Sequence, residues 1–305
     1  MPRYRFYQLD VFTDTPLRGN PLAVFPDPQG LAAPTMQALA REMNLSETTF
    51  VFPSEVATRK VRFFTPAAEI PLAGHPTIGT WWLLAELGSL PGLPRDGPMR
   101  LTQETGRGVL PVDLTLAGGR PTVVTMTQAA PEFGAQIADR DALGAGLGAD
   151  RRAIADQPTP EVVSTALPQL MVPIRSREAL ARLPSGGAGA ALADLLRRFG
   201  TDCAMLYALA AGGEVTAHCR MFAPGLGVTE DPATGSAAGA LGAHLVRRGV
   251  VRPERGTAVM TFDQGLEIGR ASRIRVVVTV DATGAITGVQ VGGAAVRVIE
   301  GDVTL

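Results

Sequence analysis

Hydrophobic and polar positions alternate along many short segments of the chain, a pattern typical of strands with one buried face. We predict strands over residues 4–12, 22–25, 48–52, 109–116, 122–127, 273–280, 285–291 and 294–299. Several are separated only by turn residues, as in Ala117-Gly118-Gly119-Arg120 and Asp281-Ala282-Thr283-Gly284. Such short connections indicate hairpins, because crossovers between parallel strands are much longer. The pattern therefore favours an α+β fold over the alternative, a doubly wound parallel sheet.

One segment recurs about half a chain later and indicates an internal duplication. The first copy contains Arg62-Phe63-Phe64-Thr65-Pro66 and then Gly74-His75-Pro76-Thr77. The second contains Arg220-Met221-Phe222-Ala223-Pro224 and then Asp231-Pro232-Ala233-Thr234-Gly235-Ser236. In both copies a predicted strand leads through a loop to His-Pro or Asp-Pro. That dipeptide predicts a helix start, since proline suits the first helical position.

Each copy continues into an apolar helix. We expect Asp231 to cap the second helix, with His75 in a comparable place in the first. Gly88 and Gly249 fit the left-handed residue that commonly ends a helix. The second helix, over residues 233–246, is apolar around most of its circumference, which predicts burial on all sides.

The duplication and the length of 305 residues predict two domains. We place the first at residues 1–127, carrying Glu47 and His75, and the second at 128–305, carrying Asp231 and Ser236. The last strand could pack on the other domain. Residues 128–158, rich in Ala, Gly and Asp, are expected to be the least structured stretch.

The amino-acid composition argues against several classes of function. The chain is 46% hydrophobic, with a net charge of −1 and no basic run, which argues against nucleic acid or a membrane surface as partner. Lys60 is the only lysine, so a Schiff-base mechanism would depend on it. Cys203 and Cys219 lack zinc-site spacing. These cysteines and the absence of a signal-peptide pattern predict a cytoplasmic protein without a metal.

Glu47 is the first candidate for chemistry. A helix is predicted over residues 34–43, Asn44 is a plausible terminator, and Glu47 falls just before the next strand. A carboxylate held at such a partly apolar junction has a raised pKa, as a general acid/base near neutral pH requires. The alternative is an ordinary solvated glutamate.

The two helix starts are the second candidate. Capping or packing roles would explain His75, Asp231 and Ser236 equally well. If the duplicated halves face each other, however, both helix N-termini point at one cleft and favour an anion. Main-chain donors at Gly74, His75, Gly235 and Ser236 would then orient a substrate carboxylate.

The chain resembles the PhzF family of phenazine-biosynthesis isomerases. The resemblance is carried, in order, by Asp10-Val11-Phe12, Gly19-Asn20-Pro21-Leu22-Ala23-Val24, Asn44-Leu45-Ser46-Glu47-Thr48, Phe64-Thr65-Pro66 with Gly74-His75-Pro76-Thr77, and Asp231-Pro232-Ala233-Thr234-Gly235-Ser236-Ala237. It implies the diaminopimelate-epimerase fold. That fold has two pseudo-symmetric domains, each a curved, mostly antiparallel sheet wrapped around a central helix, with the active site between them.

The resemblance also implies a mechanism. Glu47 matches the family's acid/base, and His75, Asp231 and Ser236 match residues of its catalytic and substrate site. The family's namesake isomerises trans-2,3-dihydro-3-hydroxyanthranilate without a cofactor, and a homodimer is expected. Related epimerases use two thiols, but the matching positions here are Ala73 and Thr234, so we reject a two-thiol racemase.

Two alternatives stay open from the sequence. The same residues could serve an epimerase or lyase acting on another small carbon acid. A catalytically idle protein that only binds a small carboxylate would have the same cleft.

Overall fold

The computed structural model describes all 305 residues and divides them into two compact units. The first unit comprises residues 1–126 together with 292–305, and the second comprises residues 127–291. The chain thus changes unit beside the predicted boundary, and its last strand belongs to the first unit.

The first unit contains two helices and nine strands: β1 (Arg3–Val11), β2 (Asn20–Phe25), α1 (Ala33–Met43), β3 (Glu47–Phe52), β4 (Arg59–Phe64), β5 (Glu69–Ile70), α2 (Gly74–Glu86), β6 (Gly97–Thr105), β7 (Gly108–Ala117), β8 (Arg120–Thr127) and β18 (Ala295–Thr304). Strand β1 pairs antiparallel with β2 and β18. The β2–β3 and β4–β6 pairs are parallel, whereas β3–β4, β4–β5, β6–β7 and β7–β8 are antiparallel.

The second unit contains β9 (Glu132–Gln136), α3 (Arg140–Leu147), β10 (Glu161–Ser164), β11 (Pro168–Pro173), α4 (Arg177–Ala181), α5 (Ala190–Arg198), β12 (Ala204–Leu209), β13 (Ala217–Ala223), β14 (Val228–Asp231), α6 (Gly235–Arg247), β15 (Thr257–Gln264), β16 (Ser272–Val280) and β17 (Ile286–Gly293), with short 3₁₀ turns at Arg151–Ala153 and Pro224–Leu226. The β11–β12 and β13–β15 pairs are parallel. Antiparallel pairs join β10 to β11, β12 to β13, β13 to β14 and β15 to β16.

The two units repeat one topology, which confirms the predicted duplication. The run from β2 to β7, with α2 after the short strand β5, reappears as the run from β11 to β16, with α6 after β14. Both helices are nearly fully buried, and in α6 only Ser236 and Arg247 are not. Close packing explains the small residues of α6, since a Cβ on Gly242 would lie 2.6 Å from Val276. Gly88 and Gly249, at φ +63° and +69°, end the two helices as expected.

The expectation for residues 128–158 is wrong. This stretch contains β9, α3 and a 3₁₀ turn, and Leu143 and Leu147 are completely buried in the core of the second unit. The two leucines lie one helical turn apart, so they share one face of α3. Burial of that face in the core stabilises the helix, although the Ala, Gly and Asp composition of the segment alone is typical of a loop.

Candidate active site

Glu47 is the first residue of β3 and lies opposite Leu22 of the parallel neighbour β2. Helix α1 ends at Asn44, whose φ of +50° turns the chain toward this strand. Side chains two residues apart share one face of a strand, and the hydroxyl of Thr49 lies 2.8 Å from that of Thr80 on α2. Glu47 therefore faces the central helix. Its side chain keeps 18% exposure, although Oε2, the oxygen nearest His75, is buried.

His75, in the first turn of α2, is the neighbour of Glu47. Its Nε2 lies 3.4 Å from Glu47 Oε2, and the ring donates a hydrogen bond to the carbonyl of Pro21. Burial lowers the pKa of His75 to about 3, against which the Pro21 hydrogen bond acts weakly. The imidazole is thus neutral near pH 7, and the contact is not an ion pair there.

Helix α2 begins at Gly74 with Ala73 as its N-cap, which supplies no side-chain cap. His75 lies inside the first turn, so the expectation that it occupies the capping position is wrong. Thr77 Oγ1 donates to the carbonyl of Ala73 over 2.8 Å and stiffens this turn. The first N–H groups of a helix without a cap are suited to an anion.

Asp231 does not cap α6, contrary to the sequence prediction. It ends β14, where it pairs with Met221 of β13, and the N-cap is Thr234. The Thr234 hydroxyl donates to Oδ2 of Asp231 instead of capping the helix. Gln264 of β15 fixes this corner, because its Oε1 accepts from the Thr234 N–H at 3.3 Å and its Nε2 donates to the Asp231 carbonyl at 2.7 Å.

The first turn of α6 is held by side chains that sequence reasoning missed. Gln169 Nε2 donates to Ser236 Oγ over 3.2 Å, and Gln128 Nε2 donates to the Gly235 carbonyl over 3.1 Å. The Thr165 hydroxyl lies 2.5 Å from Gln128 Oε1 and also approaches the Ser236 carbonyl. The one available sequence signal is a glutamine at the second position of the otherwise apolar strand β11.

The predicted site residues thus form two groups, one in each unit. Gly74 and the Glu47–His75 pair belong to the first unit, whereas Asp231, Gly235 and Ser236 gather around the start of α6 in the second. No group of three or more His, Cys, Asp or Glu side chains is close enough to hold a metal ion.

The cysteines and the lysine have ordinary structural surroundings. Cys203 and Cys219 are free thiols in the core of the second unit. Burial raises the pKa of both, that of Cys203 to about 12. Lys60 pairs with Glu104 at 2.7 Å. No helix in either unit is long and apolar enough to cross a membrane.

Comparison with known proteins shows which family has this sequence and fold. A model of the phenazine biosynthesis-like protein family matches residues 9–301. A trans-2,3-dihydro-3-hydroxyanthranilate isomerase of Pseudomonas chlororaphis is 38% identical over 270 residues, covering 88% of each chain. The crystal structure of a PhzF-family phenazine biosynthesis protein of Bacillus anthracis superposes with a TM-score of 0.90 at 29% identity, covering 100% of both chains.

A more distant structure shows the fold alone. A hydroxyproline epimerase of Agrobacterium vitis has a TM-score of 0.65 at 13% identity, covering 99% of this chain and 92% of its own. The α+β fold is therefore one that isomerases and epimerases share. Within it, the chain belongs to the phenazine biosynthesis-like, or PhzF, family and is an isomerase of that type.

Proposed function

We propose that the protein is a cofactor-independent isomerase in which Glu47 transfers a proton on trans-2,3-dihydro-3-hydroxyanthranilate or a close carboxylate-bearing relative. The observation that carries the proposal is the partly exposed side chain of Glu47, whose Oε2 lies 3.4 Å from Nε2 of the neutral His75 imidazole. The substrate follows from the name of the 38% identical relative.

The proposed reaction needs only one acid/base. Glu47 takes a proton from one ring carbon, and the electron pair of that C–H bond shifts along the conjugated system. The carboxyl then returns the proton to another carbon on the same face, where a new C–H bond forms. No electrons are gained or lost, so the step requires no redox cofactor.

His75 has a defined part in this cycle. Nε2 makes no hydrogen bond in the resting structure, so the ring uses its other nitrogen to donate to Pro21. In a neutral imidazole the remaining nitrogen is an acceptor. Once Glu47 has taken the proton from the substrate, its carboxyl group can therefore donate a hydrogen bond to Nε2 of His75.

The first turns of the two central helices contain the main-chain donors that the sequence predicts for a substrate carboxylate. Gly235 and Ser236 in the second unit, and Gly74 and His75 in the first, offer main-chain N–H groups at uncapped N-termini. By family resemblance, Asp231 and Ser236 line the substrate site, and in this proposal the Ser236 hydroxyl also contacts the substrate carboxylate. The homodimer implied by the resemblance and the cytoplasmic location predicted from the sequence stay predictions.

The experiment is turnover of trans-2,3-dihydro-3-hydroxyanthranilate in D₂O, followed by NMR for product and deuterium incorporation. Glu47→Gln keeps the shape of the side chain but cannot carry a proton, and we expect it to lose at least about 10²-fold in kcat. Glu42→Gln, an exposed glutamate on α1, is the matched control and should retain full activity.

The outcomes separate the alternatives. Full turnover by Glu47→Gln would rule out the proposed acid/base. Deuterium exchange in a different small carbon acid, but none in this compound, would indicate an epimerase or lyase using the same residue. Binding of small carboxylates without exchange in any of them would identify a protein that binds but does not catalyse.

A further inference from the structure

Gln169 is a polar side chain in an otherwise apolar buried strand. It is completely buried, as are its neighbours Leu170, Met171 and Val172 on β11. Its Nε2 donates to Ser236 Oγ, but its Oε1 is buried without a hydrogen-bond partner. An unsatisfied buried acceptor destabilises the folded state, and a methionine of similar size would avoid that cost. Stability alone therefore does not account for a glutamine here.

The hydrogen bond from Gln169 restricts the direction in which the Ser236 hydroxyl proton can point. A serine hydroxyl has a single proton, and its oxygen accepts from Gln169. The hydroxyl proton must therefore point elsewhere. Ser236 is one of only two residues of α6 that are not buried, so its hydroxyl proton can be offered to a ligand.

The main chain beneath Ser236 is held at the same time. The Gly235 carbonyl accepts from Gln128, and Thr165 reaches both Gln128 and the Ser236 carbonyl. A Cβ on Gly239 would lie 2.0 Å from Gln128 Oε1, so this brace requires glycine there. The first turn is thus held by three side chains, and of these only Gln169 acts on the hydroxyl of Ser236.

We propose that Gln169 is a positioning residue for substrate binding: by donating to Ser236 Oγ, it directs the Ser236 hydroxyl proton toward the substrate carboxylate. This inference rests on the proposed function, because it takes Ser236 to contact that carboxylate. Gln169 itself touches no substrate, and its effect is on binding rather than on proton transfer at Glu47.

The test compares Gln169→Met, Gln169→Glu and Ser236→Ala with the wild-type protein, using trans-2,3-dihydro-3-hydroxyanthranilate turnover and thermal unfolding. Gln169→Met removes the donor and the unpartnered oxygen together. We expect its KM to rise about tenfold, as for loss of one hydrogen bond to a charged group, with kcat within about twofold. Its Tm should be unchanged or about 2 °C higher. Gln169→Glu reverses the polarity, because its carboxylate accepts from Ser236, and should raise KM further.

Tyr207→Phe is the matched control. The Tyr207 hydroxyl, on the adjacent strand β12, is also completely buried without a partner. Its removal should likewise leave Tm unchanged or raise it, but KM should stay at the wild-type value. A higher KM in both variants would point to general disturbance of the core and overturn the inference.

The remaining outcomes distinguish the inference from the function on which it rests. A Tm several degrees lower for Gln169→Met, or an unchanged KM beside a raised KM for Ser236→Ala, would overturn the role of Gln169 and leave Glu47 untouched. An unchanged KM for Ser236→Ala would remove Ser236 from the site, and the inference with it. No turnover of this compound by wild-type protein would overturn the proposed substrate, and with it the assignment of Gln169 to that substrate's carboxylate.

Discussion

At the scale of single residues, the three histidines differ in what surrounds the ring. His75 is buried beside the carboxyl of Glu47, and His244 is buried with Nδ1 3.0 Å from Glu161. His218 is more exposed and contacts Arg177. Desolvation is the largest cause in each case and lowers the pKa of all three. Only His75 combines burial with a candidate catalytic carboxyl.

The depressed pKa of His75 predicts a loss of stability in acid. The folded-state pKa of about 3 lies below the unfolded value of 6.5, so the unfolded chain binds the proton more readily between these values. Stability is then complete above pH 6.5 and falls as the pH drops toward 3. At pH 5 the loss from His75 alone is about 2 kcal/mol.

Urea unfolding of wild-type protein and His75→Asn at pH 7.5 and pH 5.0 measures this loss. The wild type should lose about 2 kcal/mol more than the variant over that interval, since asparagine does not titrate. His218→Asn is the control and should keep most of the wild-type pH dependence. Equal slopes for the wild type and His75→Asn would contradict the prediction.

At the scale of elements, each central helix is preceded by two strands that an arginine–glutamate pair joins. The pair links β4 to β5 before α2, and β13 to β14 before α6. We call each pair a brace. Arg62 binds both carboxylate oxygens of Glu69 at 2.7 Å, and its guanidinium lies 5.2 Å from the Phe64 ring centroid. In the second unit, Arg220 binds Glu230 at 2.9 and 2.6 Å and also donates to the Leu180 and Leu183 carbonyls. The second brace is almost completely buried, whereas the first is exposed.

Because the two pairs differ in burial, we expect them to contribute different amounts to the free energy of unfolding. Arg220→Ala leaves Glu230 buried without its charge partner and should lower the free energy of unfolding by about 3–5 kcal/mol. Arg62→Ala leaves a glutamate that water can solvate, and the loss should stay below about 1 kcal/mol. Chemical denaturation of the two variants provides the comparison. Similar losses would show that the energy comes from packing of the arginine stem instead of the buried charge.

Comparison of the predicted and observed elements shows how much of the secondary structure the sequence predicts. Residues 233–246 were predicted as a helix, and α6 is observed at Gly235–Arg247 because Asp231 continues in β14 through its pairing with Met221. An Asp-Pro dipeptide suits a helix start, but this strand pairing decides the local conformation. The sequence does not predict strand β11, because the four residues after Gln169 are all apolar and show no alternation.

The candidate site was predictable only in part for a related reason. Glu47, His75 and Ser236 are predicted from sequence patterns local to each residue. The partner of Ser236 is 67 residues away in the chain, and no local pattern connects them. A buried hydrogen-bond partner of a predicted site residue is therefore visible only in the structure.

At the scale of the whole molecule, the duplication shows which position of the second unit corresponds to Glu47. Thr48 lies opposite Phe64, and Ala204 lies opposite Phe222, the equivalent phenylalanine of the second copy. Thr48 thus corresponds to Ala204. The residue before each is Glu47 in one unit and Cys203 in the other. The two units therefore share a backbone but differ in the group that could transfer a proton.

Cys203 cannot supply a second base near neutral pH. Burial, followed by the charges of Asp202 and Asp231, raises its pKa to about 12, and the residue is completely buried. The thiolate is the reactive form, so the folded protein should resist alkylation by iodoacetamide. Cys203→Ala should retain kcat within about twofold, since a buried thiol behaves as a small apolar group.

Turnover before and after iodoacetamide treatment tests this point, with urea-unfolded protein as the control in which both thiols should react. Inactivation of the native enzyme that disappears in Cys203→Ala would indicate a thiol in the reaction and hence a two-base mechanism. Retained activity in the iodoacetamide-treated wild type and in Cys203→Ala would leave Glu47 as the only acid/base among the two equivalent positions, 47 and 203. Such an asymmetric duplication suits an isomerase better than a racemase, because a proton returned to the same face needs one base, whereas inversion at a carbon needs a group on each side.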